Sequence, residues 1–566
     1  MMWFQRFDDR LALEKQTVAE LMAEGWVKRV DWHVDAREGI IRADIDFEAG
    51  DQLREAQLIY PFVYPFVPLR VCPRTSGERW SGHQWPSGEL CLEIRADNWH
   101  PDFTARDMLI SARKLLDTES QIDGNGVQLQ VPSDHRFTEA QRLLGSFLRL
   151  IISDGLKAEV RRRTEKVQFL DLLTSAHSSA WIVTAVGLMA SADEESWVDM
   201  SVPAQFRENP NRVGRIAVVQ YGDARHLALI DPRRPAAEIW AEFSSIPFDS
   251  NGIVVGLLGD CVLAKWLDSE KAYTIAEVPM DKQQRTPERN AAAGDKRVAI
   301  IGCGSMGSKV AASLARSGVT KFMLVDDDVL TAGNLVRNDL DWTAVGSHKV
   351  DGVTARLRAI NPTVDVQSWT GRLGGQHSTS SLEACLRNLT ACDLIVETTG
   401  SGQGFGIAAA VATQDQVPMV WGRVFGGGFG GYLARCRPGI EAPPLDVRHE
   451  IWAWMTDPSR PKPPDDSALD YGAEADDQAA MVADDTDVSV ISAHLARMAL
   501  DMLRPVEASD YPYSVYLIGL RAEWIFKMPF QTFPLLLKGA VPTATSKDST
   551  PEGEARALVP AAADPA

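Results

Sequence analysis

The chain has 566 residues, of which 45% are hydrophobic and 24% are charged. This is an ordinary globular composition, and the length suffices for about three domains of ~150 residues each. The formal net charge of −19 argues against nucleic acid or an anionic membrane surface as a partner, because like charges repel.

The sequence carries no targeting or metal-binding signal. No apolar run approaches the ~18 residues that a membrane span needs, and the N-terminus lacks the pattern of a signal peptide. The seven cysteines are dispersed and include no C-x-x-C pair. We therefore expect a cytoplasmic protein with free thiols and no structural zinc site.

Residues 1–150 show a helical pattern followed by alternating apolar and polar residues. The spacing predicts a helix over residues 4–23, and the alternation in VKRVDWHV and GIIRADIDF predicts an antiparallel meander. A loop and a second amphipathic helix, over residues 105–116, follow. The motif residues along this region are Tyr64, Pro65, Pro68, His83, Gly88, Cys91, Trp99 and Pro101.

This order of elements and motifs resembles the α+β ubiquitin-conjugating fold. The resemblance implies that Cys91 accepts an acyl group as a thioester, since a thiolate is both a good nucleophile and a good leaving group. His83 either takes part in catalysis or buttresses the loop. The family has an Asn two residues after this His, where this chain has Trp85, so Asp97 and Asn98 become candidates for its role. The alternative for Cys91 is a buried structural thiol.

Residues 151–290 mix strand-like runs with a basic helix and carry no catalytic motif. We expect an α/β spacer domain whose detailed fold the sequence does not define. A polar stretch over residues 281–297 reads as a linker to the next domain.

The region 291–540 opens with a strand, a glycine turn, a helix and a second strand. The first apolar run ends in the pattern Gly302-x-Gly304-x-x-Gly307, and the second ends at Asp326 and Asp328. Such a turn lets phosphates approach backbone N–H groups at a helix N-terminus, and a strand-tip carboxylate can hold a ribose. Further strands alternating with helices predict a mostly parallel, doubly wound, Rossmann-like sheet.

Three polar residues downstream indicate chemistry at a phosphate rather than at a nicotinamide. They are Asn334, Arg337 and Lys349. An ATP molecule whose α-phosphate is attacked needs fixed cations to meet the charge on the phosphate oxygens. The layout resembles the ThiF-like activating enzymes, the superfamily of the ubiquitin-activating enzymes, which adenylate the C-terminal carboxylate of a protein. The resemblance implies an ATP site formed by Gly302, Gly304, Gly307, Asp326, Asp328, Asn334, Arg337 and Lys349.

The chain departs from that family at the expected metal ligand. The family usually has an Asp beside the magnesium, and this position falls on Gly400 here. Glu397 or Asp328 is therefore the candidate ligand for Mg²⁺.

A second departure concerns the activating cysteine. Activating enzymes that work by thioester relay have a Cys in a crossover loop, which residues 437–486 resemble, but no Cys follows Cys436. Either the adenylate passes directly to Cys91, or Cys436 takes the first thioester. A Cys-to-Ala change near residues 479–480 is the third explanation.

The two resemblances together describe a conjugating–activating fusion like that of CBASS antiphage operons. This implies ATP- and Mg²⁺-dependent activation of the C-terminus of a cGAS-like nucleotidyltransferase and its transfer through Cys91 to a target lysine. It also implies a homodimer through the activating domain, and the Ala- and Pro-rich tail, 541–566, should be disordered. The alternatives are the same chemistry on a ubiquitin-like protein, a Rossmann oxidoreductase fused to an inert binding module, and a scaffold.

Overall fold

The structure is a computed structural model that describes residues 2–35, 37–85, 87–121, 143–165, 167–209, 217–222, 229–231, 234–244, 247–249, 251–278, 286–462 and 483–537. It divides into two compact units, residues 1–137 and 138–566. Leu148–Ile151 forms a strand in a sheet of the second unit.

The first unit is an antiparallel meander with helices on either side of it in sequence. Its elements are α1 (Trp3–Arg6), α2 (Asp8–Ala23), β1 (Val27–Asp35), β2 (Ile40–Ala49), β3 (Gln52–Tyr60), β4 (Arg70–Pro73) and α3 (Ala105–Glu119). The strand order is β1-β2-β3-β4. Helix α3 buries Met108, Ala112 and Leu116, which recur every four residues and so share one face in the core.

The middle region, expected as an α/β spacer, is a mixed eight-stranded sheet with helices. Its elements are β5 (Leu148–Ile151), α4 (Asp154–Arg162), β6 (Val167–His177), β7 (Ala180–Leu188), β8 (Trp197–Val198), α5 (Ala204–Arg207), β9 (Ala217–Tyr221), α6 (Ala236–Phe243), β10 (Asn251–Leu258), β11 (Cys261–Asp268) and β12 (Ala272–Glu277). The strand order is β5-β12-β11-β10-β9-β6-β7-β8, and β5 also pairs with β7. This extra pairing joins the two sides of the sheet, so the strands close on themselves.

The C-terminal region is the doubly wound sheet that the sequence predicts. Its elements are β13 (Arg297–Ile301), α7 (Ser305–Arg316), β14 (Lys321–Val325), α8 (Lys349–Ile360), β15 (Asp365–Trp369), α9 (Thr379–Thr390), β16 (Leu394–Glu397), α10 (Gly402–Gln414), β17 (Met419–Val424), β18 (Gly430–Cys436), α11 (Pro444–Met455), α12 (Asp485–Met502), β19 (Val515–Gly519) and β20 (Thr532–Leu535). The strand order is β15-β14-β13-β16-β17-β18-β19-β20, parallel as far as β17 and antiparallel beyond it.

Two hydrophobic cores cover the two faces of this sheet. Along β13, Val298 and Ile300 belong to one core, and Ala299 and Ile301 belong to the other. A parallel strand that is buried on both faces reads as a continuous apolar run, as this one does. Strand β13 lies between β14 on one side and β16 on the other, so the chain connections diverge at β13. Such a divergence creates a crevice at the carboxyl ends of the strands.

Helix α12 packs against α7 and the sheet. Residues 463–482 of the expected crossover loop, with the Ala pair at 479–480, and the expected tail at 541–566 lie outside the described residues. Among the described helices, none combines the length and apolar character that a bilayer crossing requires.

Candidate functional site

The glycine turn after β13 brings the start of α7 close to the end of β16. Gly302 has φ +93°, in the left-handed region that favours glycine, and a Cβ there would lie 3.0 Å from the backbone N of Thr399. A Cβ at Gly307 would lie 1.8 Å from the carbonyl oxygen of Gly302. Side chains at these two positions would therefore push the helix away from the strand ends.

Asp326, directly after β14, is held by the backbone of the glycine turn. Its carboxylate accepts hydrogen bonds from the backbone N of Cys303 at 2.6 Å and from the backbone N of Asp328 at 2.8 Å. Burial raises the pKa of Asp326, while these N–H donors and Lys349 act in the opposite direction. The more exposed Asp328 accepts instead from Nζ of Lys349 at 2.6 Å.

Asn334 and Arg337 lie in and directly after a 3-10 turn, Ala332–Val336. Oδ1 of Asn334 accepts from the backbone N of Thr331 at 3.0 Å, which holds the turn. The carbonyl oxygen of Arg337 accepts from Nζ of Lys309 at 2.8 Å and so ties the turn to α7. Both predicted side chains are thereby carried on a segment that is fixed to the glycine-turn helix.

These elements enclose a cavity of about 430 Å³ at the carboxyl ends of the parallel strands. The ends of β13, β14 and β16 contribute to it, as expected for a doubly wound sheet. Gly307 is the one predicted nucleotide residue that packs behind the cavity rather than in its lining. The predicted residues in the lining are Gly302, Gly304, Asp326, Asp328, Asn334, Arg337 and Lys349.

Two arginines that the sequence did not single out also line the cavity. Arg372 follows β15, and Arg423 lies near the end of β17. The available signal was a basic residue at the carboxyl end of a predicted parallel strand, since all such ends meet at one edge of the sheet. Neither residue belongs to a local motif.

Residues 282–441 match the model of the ThiF family. We call this segment the ThiF region. It contains the glycine turn, the acidic strand tip and every residue of the cavity lining except Val488.

Similar proteins include activating and transferase-like proteins. The chain is 33% identical over 130 residues to the ATP-dependent ubiquitin transferase-like protein Cap2 of Enterobacter hormaechei subsp. hoffmannii, covering 22% of this chain and 20% of that protein. It is 36% identical over 75 residues to ubiquitin-like modifier-activating enzyme 5 of Bombyx mori, covering 13% of this chain and 19% of that protein. The chain thus spans about a fifth of the length of each of these relatives.

Among solved structures, the crystal structure of E. coli MccB with ATP is similar over 44% of this chain and 65% of that chain. The TM-score is 0.32 and the sequence identity is 16%. The crystal structure of PaaA is similar over 43% of this chain, with a TM-score of 0.33 and 16% identity. The matched region spans 65% of the PaaA chain.

Within the ThiF region, the predicted metal ligand Glu397 does not lie in the cavity lining. Its side chain is buried, and its Oε1 accepts from the backbone N of Thr399 at 2.9 Å. Burial raises the pKa of this carboxyl. Asp326, Asp327 and Asp328 bring one carboxylate oxygen each within 4.8 Å of one another, which favours Asp328, the other predicted candidate, over Glu397.

Cys436, the candidate for a first thioester, lies at the end of β18 with 4% of its surface exposed. Burial raises the pKa of its thiol to about 12, and Glu441 adds to this effect. A thiol that is shielded from solvent and protonated at neutral pH is a poor nucleophile. The structure therefore argues against Cys436 as an acceptor.

In the first unit, Cys91 lies between two buried leucines at the edge of a loop. Leu90 and Leu92 are 6% and 4% exposed and belong to the core, whereas Cys91 is only partly buried. The backbone N of Cys91 donates to the carbonyl oxygen of His83 at 2.8 Å. The flanking leucines fix the backbone, so the position of the thiol is defined by the core.

The residues around Cys91 have mixed electrostatic effects on its thiol. Burial raises the pKa of Cys91, Arg95 lowers it, and Glu89 and Asp97 raise it further. Nε of Arg95 donates to Asp97 at 3.1 Å. Of these three charges, Arg95 is the one that favours a thiolate at this position.

The side chain of Asn98, a candidate oxyanion donor, is engaged in the turn after Cys91. Its Nδ2 donates to the carbonyl oxygen of Glu93 at 2.8 Å, and its Oδ1 accepts from the backbone N of Arg95 at 2.7 Å. On the other side of the loop, Trp85 is 50% exposed. The backbone of His83 contributes its carbonyl oxygen to the loop.

Proposed function

We propose that this chain uses ATP to adenylate the C-terminal carboxylate of a protein and transfers the acyl group through Cys91 to a target amine. The observation that carries this proposal is the convergence of a glycine turn, a strand-tip carboxylate, Arg337 and Lys349 on one cavity within a ThiF-matching segment. The similarity to a ubiquitin transferase-like protein and to a modifier-activating enzyme supports the same reaction class.

The cavity residues fit a triphosphate nucleotide. Gly304 and the start of α7 offer backbone N–H groups to phosphate oxygens, and Asp326 is positioned to accept from a ribose hydroxyl. Arg337 and Lys349 supply fixed positive charge where negative charge grows on the α-phosphate. Because Lys349 is held by Asp328, its ammonium is oriented before the nucleotide arrives.

Asp327 and Asp328 would hold the Mg²⁺ that accompanies ATP, while Asp326 accepts from the ribose. Hard carboxylate oxygens are the ligands that this ion prefers, and these two acids lie close together. When bound, the ion would neutralise charge on the phosphates. Gly400, which replaces the family's Asp, supplies no ligand of its own.

The proposed reaction proceeds in three steps. A carboxylate oxygen of the substrate protein attacks the α-phosphorus, and the bond from that phosphorus to the bridging oxygen breaks, releasing pyrophosphate. The Cys91 thiolate then attacks the acyl carbon and releases AMP. Finally, a neutral lysine amine attacks the thioester, forms an amide and returns the thiol.

We infer that the activated protein is a cGAS-like nucleotidyltransferase, as the CBASS-type fusion implies, and that the acceptors are target-protein lysines. The same chemistry on a dedicated ubiquitin-like protein is the nearest alternative. A homodimer through the ThiF region is part of the proposal. Pull-down with the proteins encoded beside this chain, followed by mass spectrometry of the adduct, tests the client. A small β-grasp protein as the only adduct would contradict the nucleotidyltransferase assignment.

ATP–pyrophosphate exchange by the full chain tests the adenylation step. Exchange that depends on a protein with a free C-terminus is expected, because adenylation releases pyrophosphate reversibly. A Rossmann oxidoreductase would catalyse no exchange and would instead oxidise or reduce a nicotinamide. Oxidation or reduction of a nicotinamide without pyrophosphate exchange would contradict the proposal.

A further inference from the structure

A second cavity of about 410 Å³ adjoins the nucleotide cavity. Arg423 lines both cavities, and Gly402, in the lining of the second, follows Ser401, in the lining of the first. The two spaces therefore share a wall at the end of β17 and the start of α10. The adenylation proposed above requires that the carboxylate of the substrate bind beside the nucleotide, which is where the two cavities meet.

The second cavity is lined mainly by large apolar side chains. In its lining, Ile451, Met455 and Phe425 are buried, at 2%, 4% and 4% exposed, whereas Leu445 and Trp452 are 42% and 47% exposed. Helix α11 supplies most of this lining from one face. Such a space favours a bulky apolar group, because burying it removes apolar surface of both partners from water.

Positive charge lies at the border between the cavities. Nη2 of Arg423 is buried and has no hydrogen-bond partner among the described residues. An unsatisfied buried guanidinium N–H is costly, and a carboxylate satisfies it with a strong, charge-assisted hydrogen bond. Arg448 also lines the second cavity, with its Cζ 4.5 Å from the centre of the Phe405 ring.

The nearby carboxylate of Glu397 forms no hydrogen bond or ion pair with these arginines among the described residues. Glu397 is buried close enough to be influenced by Arg448 and Arg423, but its Oε1 accepts from Thr399. Neither guanidinium forms an ion pair with a carboxylate in the described part of the chain. The two guanidinium groups at the border are therefore able to bind the carboxylate of a substrate.

We propose that the second cavity selects the last residue of the substrate's tail and that this residue has a bulky apolar side chain, such as Leu, Met, Phe or Trp. Its carboxylate lies between Arg423 and Arg448, beside the nucleotide, and its side chain fills the apolar cavity. This inference rests on the proposed adenylation and adds the substrate class. A tail that ends in glycine leaves the cavity unfilled and is activated less efficiently, by at least about ten-fold.

The test uses the full chain, ATP, Mg²⁺ and hexapeptides whose last three residues are randomised, with free carboxylates. Hydroxylamine traps each activated peptide, since its nitrogen attacks the acyl carbon and AMP or the Cys91 thiol leaves. Mass spectrometry then identifies the hydroxamates. Enrichment of bulky apolar last residues supports the inference. Hydroxamates dominated by glycine-terminated peptides would overturn it and leave adenylation intact, whereas no ATP-dependent hydroxamate would contradict the proposed function as well.

Leu445→Trp provides the matched variant, because this exposed rim residue can fill the cavity without disturbing the core. We expect it to lower the yield of bulky-tail hydroxamates at least about ten-fold relative to small tails. Ile440→Trp is the control, since Ile440 is also exposed, at 43%, and lines neither cavity. An unchanged preference in Leu445→Trp, or an equal loss in both variants, would overturn the assignment.

Discussion

Lys349 and Asp328 illustrate how single residues shape the cavity that we assign to a nucleotide. The ammonium lies 2.6 Å from the carboxylate, and the lysine side chain is 11% exposed whereas that of Asp328 is 65% exposed. The lysine side chain is therefore mostly buried, whereas the carboxylate side chain is open to solvent. Lys349 keeps its position by packing, and a phosphate can approach it from the exposed side.

We expect Lys349→Ala or Arg337→Ala to lower ATP–pyrophosphate exchange by about 10²–10³, the usual loss for a removed transition-state contact. The physical reason is that negative charge on the α-phosphate would lose a fixed cation. Arg358→Ala is the control, because Arg358 is an exposed residue of the same helix as Lys349 and lies outside the cavity. Unchanged exchange in both cavity variants would contradict the site.

Cys91 provides a pH-dependent prediction. Because burial places its thiol pKa above the ordinary range, the rate of alkylation by iodoacetamide should still be rising with pH where a free cysteine has levelled off. Arg95 lowers this pKa and Asp97 raises it. Arg95→Gln should therefore shift the profile to higher pH, and Asp97→Asn should shift it to lower pH. Shifts in the opposite directions would show that these charges do not act on the thiol.

At the scale of elements, the approach of α7 to the strand ends depends on Gly307. We expect Gly307→Ala to lower the free energy of unfolding of this region by at least about 1–3 kcal/mol, because its Cβ meets backbone that cannot move aside. Gly304→Ala is the matched control, since nothing lies within 4 Å of a Cβ there. Urea unfolding without nucleotide measures both. Equal stability of the two variants would contradict the packing argument.

A buried ion cluster joins β18 to α12. Asp501, fully buried, lies 3.3 Å from Nη1 of Arg435 and 3.0 Å from Nη2 of Arg437. Asp501→Ala should destabilise the fold by about 3–5 kcal/mol, because it leaves two buried guanidiniums with too little negative charge. Asp510→Ala removes a solvent-exposed partner of Arg504 and should cost at most about 1 kcal/mol. Similar unfolding midpoints for both variants would refute this role.

The sequence predicted those parts of the structure that depend on local patterns. The run 298–301, the glycine turn and the acids after the next strand follow one another, so periodicity and turn chemistry sufficed to place them. Arg423 was not predicted, because its position on the cavity wall depends on the pairing of β16 with β17. The closure of the middle sheet by β5 is likewise a pairing between distant segments. Burial of Cys436 depends on elements that follow it in the chain.

At the scale of the whole molecule, the proposal divides one reaction between two units. The ThiF region is assigned the formation of the adenylate, and Cys91 in the first unit is assigned its capture. Cys91→Ala should therefore leave ATP–pyrophosphate exchange unchanged while conjugation stops. Cys436→Ser should affect neither step, since that thiol is buried and protonated. Loss of exchange in Cys91→Ala would show that the two steps are not separable in this way.

The most direct test is to incubate the intact chain with ATP, Mg²⁺ and the proteins encoded beside it, and to look for an adduct on Cys91 by non-reducing electrophoresis and mass spectrometry. The account predicts an adduct that thiol reagents cleave and that Cys91→Ser converts into an oxyester resistant to them. A chain that catalyses pyrophosphate exchange with one of these proteins, yet never carries an acyl group on Cys91, would contradict the account.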